Sequence, residues 1–84
     1  YNLDSQLISN FGWLFIGNTG GDDFAVFFLQ GGNNVTTEVS DVTNSFSPTV
    51  DNAGTINIYY SSGYKLQNKT AGAWTPRWHF LSLT

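Results

Sequence analysis

The sequence predicts an all-β domain: a small antiparallel β-sandwich of jelly-roll-like type, with about seven or eight strands. Two observations carry this. Turn-forming clusters interrupt the 84-residue chain every eight to twelve residues or so, the spacing of a sandwich or barrel. Asn, Ser, Thr and Gly make up 35 of the 84 residues, and Asn, Gly and Thr suit turns and exposed strand faces better than helices.

Residues 1–10 read as an arm or a linker from an upstream region, and residues 11–84 as the sandwich. In the arm, Asp4 could cap a short helical turn through Ser9, with Leu3, Leu7 and Ile8 on one face. Phe11 to Gly17 is the first strand. Asn18-Thr19-Gly20-Gly21-Asp22-Asp23 follows as a loop of residues that tolerate positive φ. Phe24 to Gln30 is the second strand, and Gly31-Gly32-Asn33-Asn34 turns the chain back. Val35 to Val42 alternates, with Val35, Thr37, Val39 and Asp41 expected on one face. Thr43 to Val50 holds Phe46 and then Pro48, which fits an edge segment because Pro donates nothing to a ladder. Asp51-Asn52-Ala53-Gly54 is a tight turn. Thr55 to Ser61 is a strand with Ile56, Ile58 and Tyr60 on one face. Ser62-Gly63 joins it to Tyr64 to Asn68 as a hairpin. After the turn Lys69-Thr70-Ala71-Gly72, Pro76 sets the start of a last strand, Arg77 to Thr84.

Three segments are apolar on both faces: Trp13 to Ile16, Phe24 to Leu29 and Trp78 to Leu81. Phe24, Val26 and Phe28 alternate with Ala25, Phe27 and Leu29, so both sides of that strand are greasy. A chain this short offers one core, and the second face is most simply covered by copies of the same chain. Phe27, Leu29 and Leu14, or their alternates Phe28, Val26 and Trp13, are therefore expected to face a partner, with a homotrimer as the expected assembly.

Nine charged residues and a net charge of −3 argue against a nucleic-acid surface, which needs clustered Lys and Arg. No apolar run approaches the roughly 20 residues of a membrane helix. With no Cys there is neither a disulfide framework nor thiol chemistry. With no Met, the chain is expected to be a processed product or a fragment of something longer.

Chemistry-bearing residues are sparse. His79 is the sole imidazole, so any Ser-His-Asp arrangement would depend on it, and mid-strand it reads as a structural or interface histidine. Asp22-Asp23 is the one adjacent carboxylate pair. Neighbours in a loop point apart, which does not suit a glycosidase, and no multi-ligand spacing accompanies them for calcium. Gly20-Gly21 and Gly31-Gly32 precede no helix with a P-loop Lys and read as turns. No enzyme activity, cofactor or metal is expected. Aromatics make up 17% of the chain. Those with a polar handle suit sugar stacking or a protein interface. Trp74, in the loop Gly72 to Pro76, is the candidate plate for a ligand. Arg77 and Tyr64 are its candidate neighbours, provided residues 64–68 and 77–84 lie close.

The run from Ala53-Gly54-Thr55-Ile56-Asn57-Ile58-Tyr59-Tyr60 through Leu66-Gln67-Asn68-Lys69-Thr70 resembles the C-terminal part of bacteriophage and prophage tail-fibre proteins. There a strand of the form G-x-I-N-V-Y leads through a hairpin to L-Q-N-K-T-G. Here Ala71 is inserted before Gly72. The resemblance extends over about residues 11–84 and is close over 53–72. It implies a β-sandwich at a fibre tip or on a virion surface, extracellular in use, often trimeric, and in some cases receptor-binding. It carries no site residues across. The expected function is a homo-oligomeric tail-fibre tip that binds a host-surface glycan or protein. The alternatives are a purely structural trimerisation or decoration domain and a carbohydrate-binding module of a larger enzyme.

Overall fold

Seven strands, β1 (Phe11–Asn18), β2 (Phe24–Gln30), β3 (Val35–Asp41), β4 (Phe46–Ser47), β5 (Ile56–Tyr60), β6 (Tyr64–Asn68) and β7 (Pro76–Ser82), make up the regular structure of the computed structural model. The structure describes Leu3 and residues 11–83. The helical turn considered for Asp4 to Ser9 lies outside the described residues. The strands form a four-stranded sheet in the order β3-β2-β1-β7 and a three-stranded sheet in the order β4-β5-β6. The all-β two-sheet expectation holds. One detail differs: β4 pairs with β5 in parallel, Phe46 against Ile56 and Ser47 against Asn57, so the small sheet is mixed.

The registers decide which apolar face goes inward. Leu14 stands between Phe27 and Phe80, and Ile16 between Ala25 and Trp78. Leu14, Ile16, Ala25, Phe27 and Leu29 have no exposed surface and meet Ile56, Ile58, Tyr64 and Leu66 of the small sheet. Each such large side chain contributes on the order of 1.5–3 kcal/mol. Leu14, Phe27 and Leu29 therefore belong to the core of a single chain, which removes them as partner-facing residues. Their alternates Trp13, Val26 and Phe28 point outward and are half-buried.

Gly12 is required where β7 crosses β1. A Cβ there would run into the Leu81 carbonyl and the Phe80 ring. In β3 the expected alternation fails after Glu38. The register shifts opposite Val26 and Phe27, leaving Val39 as the extra residue of a β-bulge. The shift moves Asp41 from the face of Val35 to the inner side, opposite Ala25. There its carboxylate accepts the backbone N–H of Ser45 (3.0 Å) and of Phe46 (2.9 Å) and starts the crossing into the second sheet.

Candidate functional site

The outer face of the large sheet follows from the same registers. Phe11, Trp13, Phe15 and Gly17 of β1 lie beside Gln30, Phe28, Val26 and Phe24 of β2. On the other side of β1, Leu81, His79 and Arg77 of β7 lie beside Trp13, Phe15 and Gly17. The face has two ends. At one, Phe28 packs edge-on against Phe11 (5.4 Å between centroids) and tilted against Trp13 (4.8 Å), and Leu81 remains 49% exposed. At the other, Gly17 lies between Phe24, 43% exposed, and Arg77, with the Asp23 carbonyl over the place a side chain would take.

Residues of this end line an open groove of about 380 Å³, with Phe15, Asp23, Phe24, Arg77 and His79 among its walls. Gly17 has no alternative, because a Cβ there would stand 2.5 Å from the Asp23 carbonyl oxygen. Arg77 and His79 are exposed, and among the described residues neither side chain forms a hydrogen bond or an ion pair.

Beneath the groove, Asp23 joins three segments. One oxygen accepts the Trp74 indole N–H at 3.0 Å and the Asn18 amide at 3.4 Å; the other accepts the Ser45 hydroxyl at 3.0 Å. The Trp74 N–H holds the Asp23 carboxyl below the ordinary carboxylate range. Partial burial works against that shift, and the Ser45 and Thr43 hydroxyls reinforce it.

Trp74 is accordingly no exposed plate. It is half-buried, its ring meets Phe46 edge-on at 5.7 Å, and its loop is tied to the β1–β2 loop by the Thr19 N–H to the Thr75 carbonyl (3.1 Å). Tyr64 is fully buried, and its hydroxyl donates to the Val35 carbonyl at 3.1 Å. It sits by the β2–β3 turn, at the opposite end of the sandwich from Arg77, because β6 runs from Tyr64 along the sandwich before β7 begins. Of the three residues expected to form a ligand site, Arg77 alone lies at the groove. Phe15, Gly17 and Phe24 went unnoticed. The available signal was a Gly ending an otherwise aromatic outer row.

His79 faces outward beside Phe15, and among the described residues no carboxylate partner orients it as a base. Asp22 and Asp23 are not a paired site, since both Asp23 oxygens are used by Trp74, Asn18 and Ser45. Among the described residues no three His, Cys, Asp or Glu side chains gather as a metal would need.

The outside of the small sheet is different. Asn57 is fully buried there under residues 48–54. Its amide donates to the Asn52 carbonyl (3.1 Å) and to Gln67 Oε1 (3.0 Å), and its oxygen accepts the Thr55 hydroxyl. Gln67 in turn accepts the Asp51 N–H and donates to the Asp51 carboxylate, both at 2.8 Å. Asn57 and Gln67 thus hold a loop over the sheet. Comparison of the chain with protein-family models, with curated proteins and with solved structures gives no match.

Proposed function

We propose that this chain is a non-catalytic assembly and attachment module, a fibre-tip domain of phage type that packs against copies of itself and engages a host surface. The single observation that carries this reading is the outer face of the large sheet. Phe11, Trp13, Phe28, Val26 and Leu81 form a contiguous apolar strip on a chain with few charges. Strips of this kind mark association surfaces. A closed ring of copies would bury the same strip in each. The fibre-like run 53–72 supports the reading as well, with its Asn57 and Gln67 employed in holding a loop and not in chemistry. The uncharged polar remainder of the surface fits use outside the cell.

Sedimentation equilibrium at micromolar concentration tests the assembly. The expected result is a species of three times the 9.3 kDa chain mass. A dimer would keep the outer face as the seam and remove the trimer. A monomer would overturn the reading.

A further inference from the structure

We propose that the free edge of β7 pairs with the same edge of a second copy, antiparallel and about a two-fold axis at His79, and so joins the large sheets of two chains into one. This contact goes beyond the outer strip and uses a different part of the molecule. The two ends of β7 fix which way its backbone groups point. The Thr19 N–H donates to the Thr75 carbonyl (3.1 Å), and the Leu83 N–H donates to the Phe11 carbonyl (2.9 Å). In the unbroken register between them, Arg77, His79 and Leu81 turn their N–H and C=O groups to β1, and Trp78 and Phe80 turn theirs to the other side. β1 is the one strand beside β7. Among the described residues, these groups of Trp78 and Phe80 have no hydrogen-bond partner.

The other sheet edges are guarded, as edges in folded proteins usually are. β3 carries the bulge at Val39 and the inward Glu38. β4 has two residues. β6 receives the Leu3 N–H at the Tyr64 carbonyl (2.9 Å). β7 has seven residues, a regular register and no charge after Arg77. Pro76 blunts only its first place.

The edge is self-complementary, which selects a second copy as its occupant. An axis at His79 sets Trp78 opposite the partner's Phe80, and Phe80 opposite the partner's Trp78. Both N–H groups and both carbonyls of each chain then find partners. The Trp78 and Phe80 side chains, half-buried at the rim of the core, cover each other across the join. On the outer side Arg77 faces the partner's Leu81, and the two Arg77 backbones stand roughly 14 Å apart. Parallel pairing in register would set Arg77 beside the partner's Arg77, which like charges disfavour. An axis at Trp78 would set Phe80 against the partner's Pro76, which has no N–H.

Cysteine cross-linking reads this register directly, since the chain has no Cys of its own. The variants carry Phe28→Ser as well, which removes the centre of the outer strip, so that the edge is read alone. A pair such as His79 and the partner's His79 has Cα atoms about 4.5 Å apart, within disulfide range. At millimolar chain concentration in a glutathione buffer, His79→Cys should form a disulfide-linked dimer. Arg77→Cys and Leu81→Cys should each stay monomeric alone and cross-link when mixed. The contact is small, so its dissociation constant in the Phe28→Ser chain should be on the order of 1 mM. Amide hydrogen exchange on the wild-type chain is the second measurement. The Trp78 and Phe80 amides should be protected at high concentration and lose protection on dilution, while those of Arg77, His79 and Leu81 stay protected throughout. Packing of the outer strip touches side chains and leaves the edge amides open. No cross-link from His79→Cys, equal cross-linking of Arg77→Cys and Leu81→Cys alone and mixed, or fast exchange of Trp78 and Phe80 at both concentrations would overturn the pairing. A foreign strand on the same edge would give none of these cross-links. Because the strip is removed in the cross-linking chains, failure of the trimer and failure of the edge contact are separate results.

Discussion

On the outside of the three-stranded sheet, Asn57 lies buried beneath residues 48–54, and its amide and oxygen make three hydrogen bonds to Asn52, Gln67 and Thr55. On the outside of the four-stranded sheet, Trp13, Phe28 and Leu81 stand in a row with no segment of the chain crossing over them among the described residues. The small sheet closes itself with polar groups, because a buried amide is stable only when its donors and acceptor are matched. The large sheet is left with apolar surface, whose demand is non-directional and can be met by a second molecule. One outer face serves the fold of the chain, and the other is the face proposed above as the seam between copies.

The largest expected effect comes from breaking the covered side. Asn57→Ala removes the hydrogen bonds to Asn52, Gln67 and Thr55 at a fully buried position and leaves a void under the loop, and should cost about 2–4 kcal/mol. Thermal unfolding should show a midpoint lowered by roughly 10–20 °C for a domain of this size. An unchanged midpoint would mean that residues 48–54 contribute no cover.

Phe28→Ser tests the open side. Phe28 touches both Phe11 and Trp13 at the centre of the strip, so its loss should weaken self-association by about a hundredfold, as for a central interface aromatic. The comparison predicts a divided result: association lost in sedimentation while the monomer stays folded by circular dichroism. A variant that unfolds without passing through a folded monomer would place Phe28 in the core instead.

Glu38 sharpens the contrast between inner and outer positions. It points inward from the edge strand β3, opposite Phe27, and its Oε1 is buried without a hydrogen-bond partner, as is Thr36 Oγ1 two residues away. Burial, and then the charge of Asp41, raises the Glu38 carboxyl above the ordinary range. The folded state therefore favours the neutral acid. Its contribution is fullest below the unfolded value, near about pH 4.3, and is lost as pH rises through the raised folded value. Glu38→Gln should melt about 2–5 °C higher than wild type at neutral pH. The gain should vanish in acid; a gain independent of pH would mean that charge is not its cause. An inward-pointing charge on an edge strand is also a known guard against unwanted strand pairing. Glu38→Gln should then aggregate more readily.

Trp74→Phe should have the smallest effect. It keeps the ring against Phe46 and removes the N–H to Asp23, costing about 0.5 kcal/mol at a largely solvated carboxylate. Because Trp74 lowers the Asp23 value, the stabilisation is present above the unfolded carboxylate value. It disappears as pH falls through the lower folded value. Melts of wild type and variant should converge in strong acid, and a constant difference would assign the loss to packing alone.

Much of the strand pattern was legible in the residues. Alternation within Thr55 to Ser61 grouped Ile56, Ile58 and Tyr60 on one face, which the fold turns to the core, and turn chemistry bounded the strands to within a residue or two of β1, β2 and β6. The site was less so. Trp74 looked free because it lies in a loop, yet a carboxylate 51 positions earlier captures its N–H. Tyr64 precedes Arg77 by only 13 positions, but β6 runs the length of the sandwich between them, and β7 starts at its far end.

What the sequence determined by itself was local: period-two apolar strands, turns at Gly, Asn and Asp, and one aromatic face more than a single core can use. Where both faces of a strand are apolar, periodicity cannot say which one goes inside. Leu14, Phe27 and Leu29 were chosen over Trp13, Val26 and Phe28 only when the strands paired and the small sheet arrived. The bulge at Val39 and the requirement for Gly17 arose in the same way. Each depends on what the neighbouring strand places opposite, and register is a property of two strands, not of one.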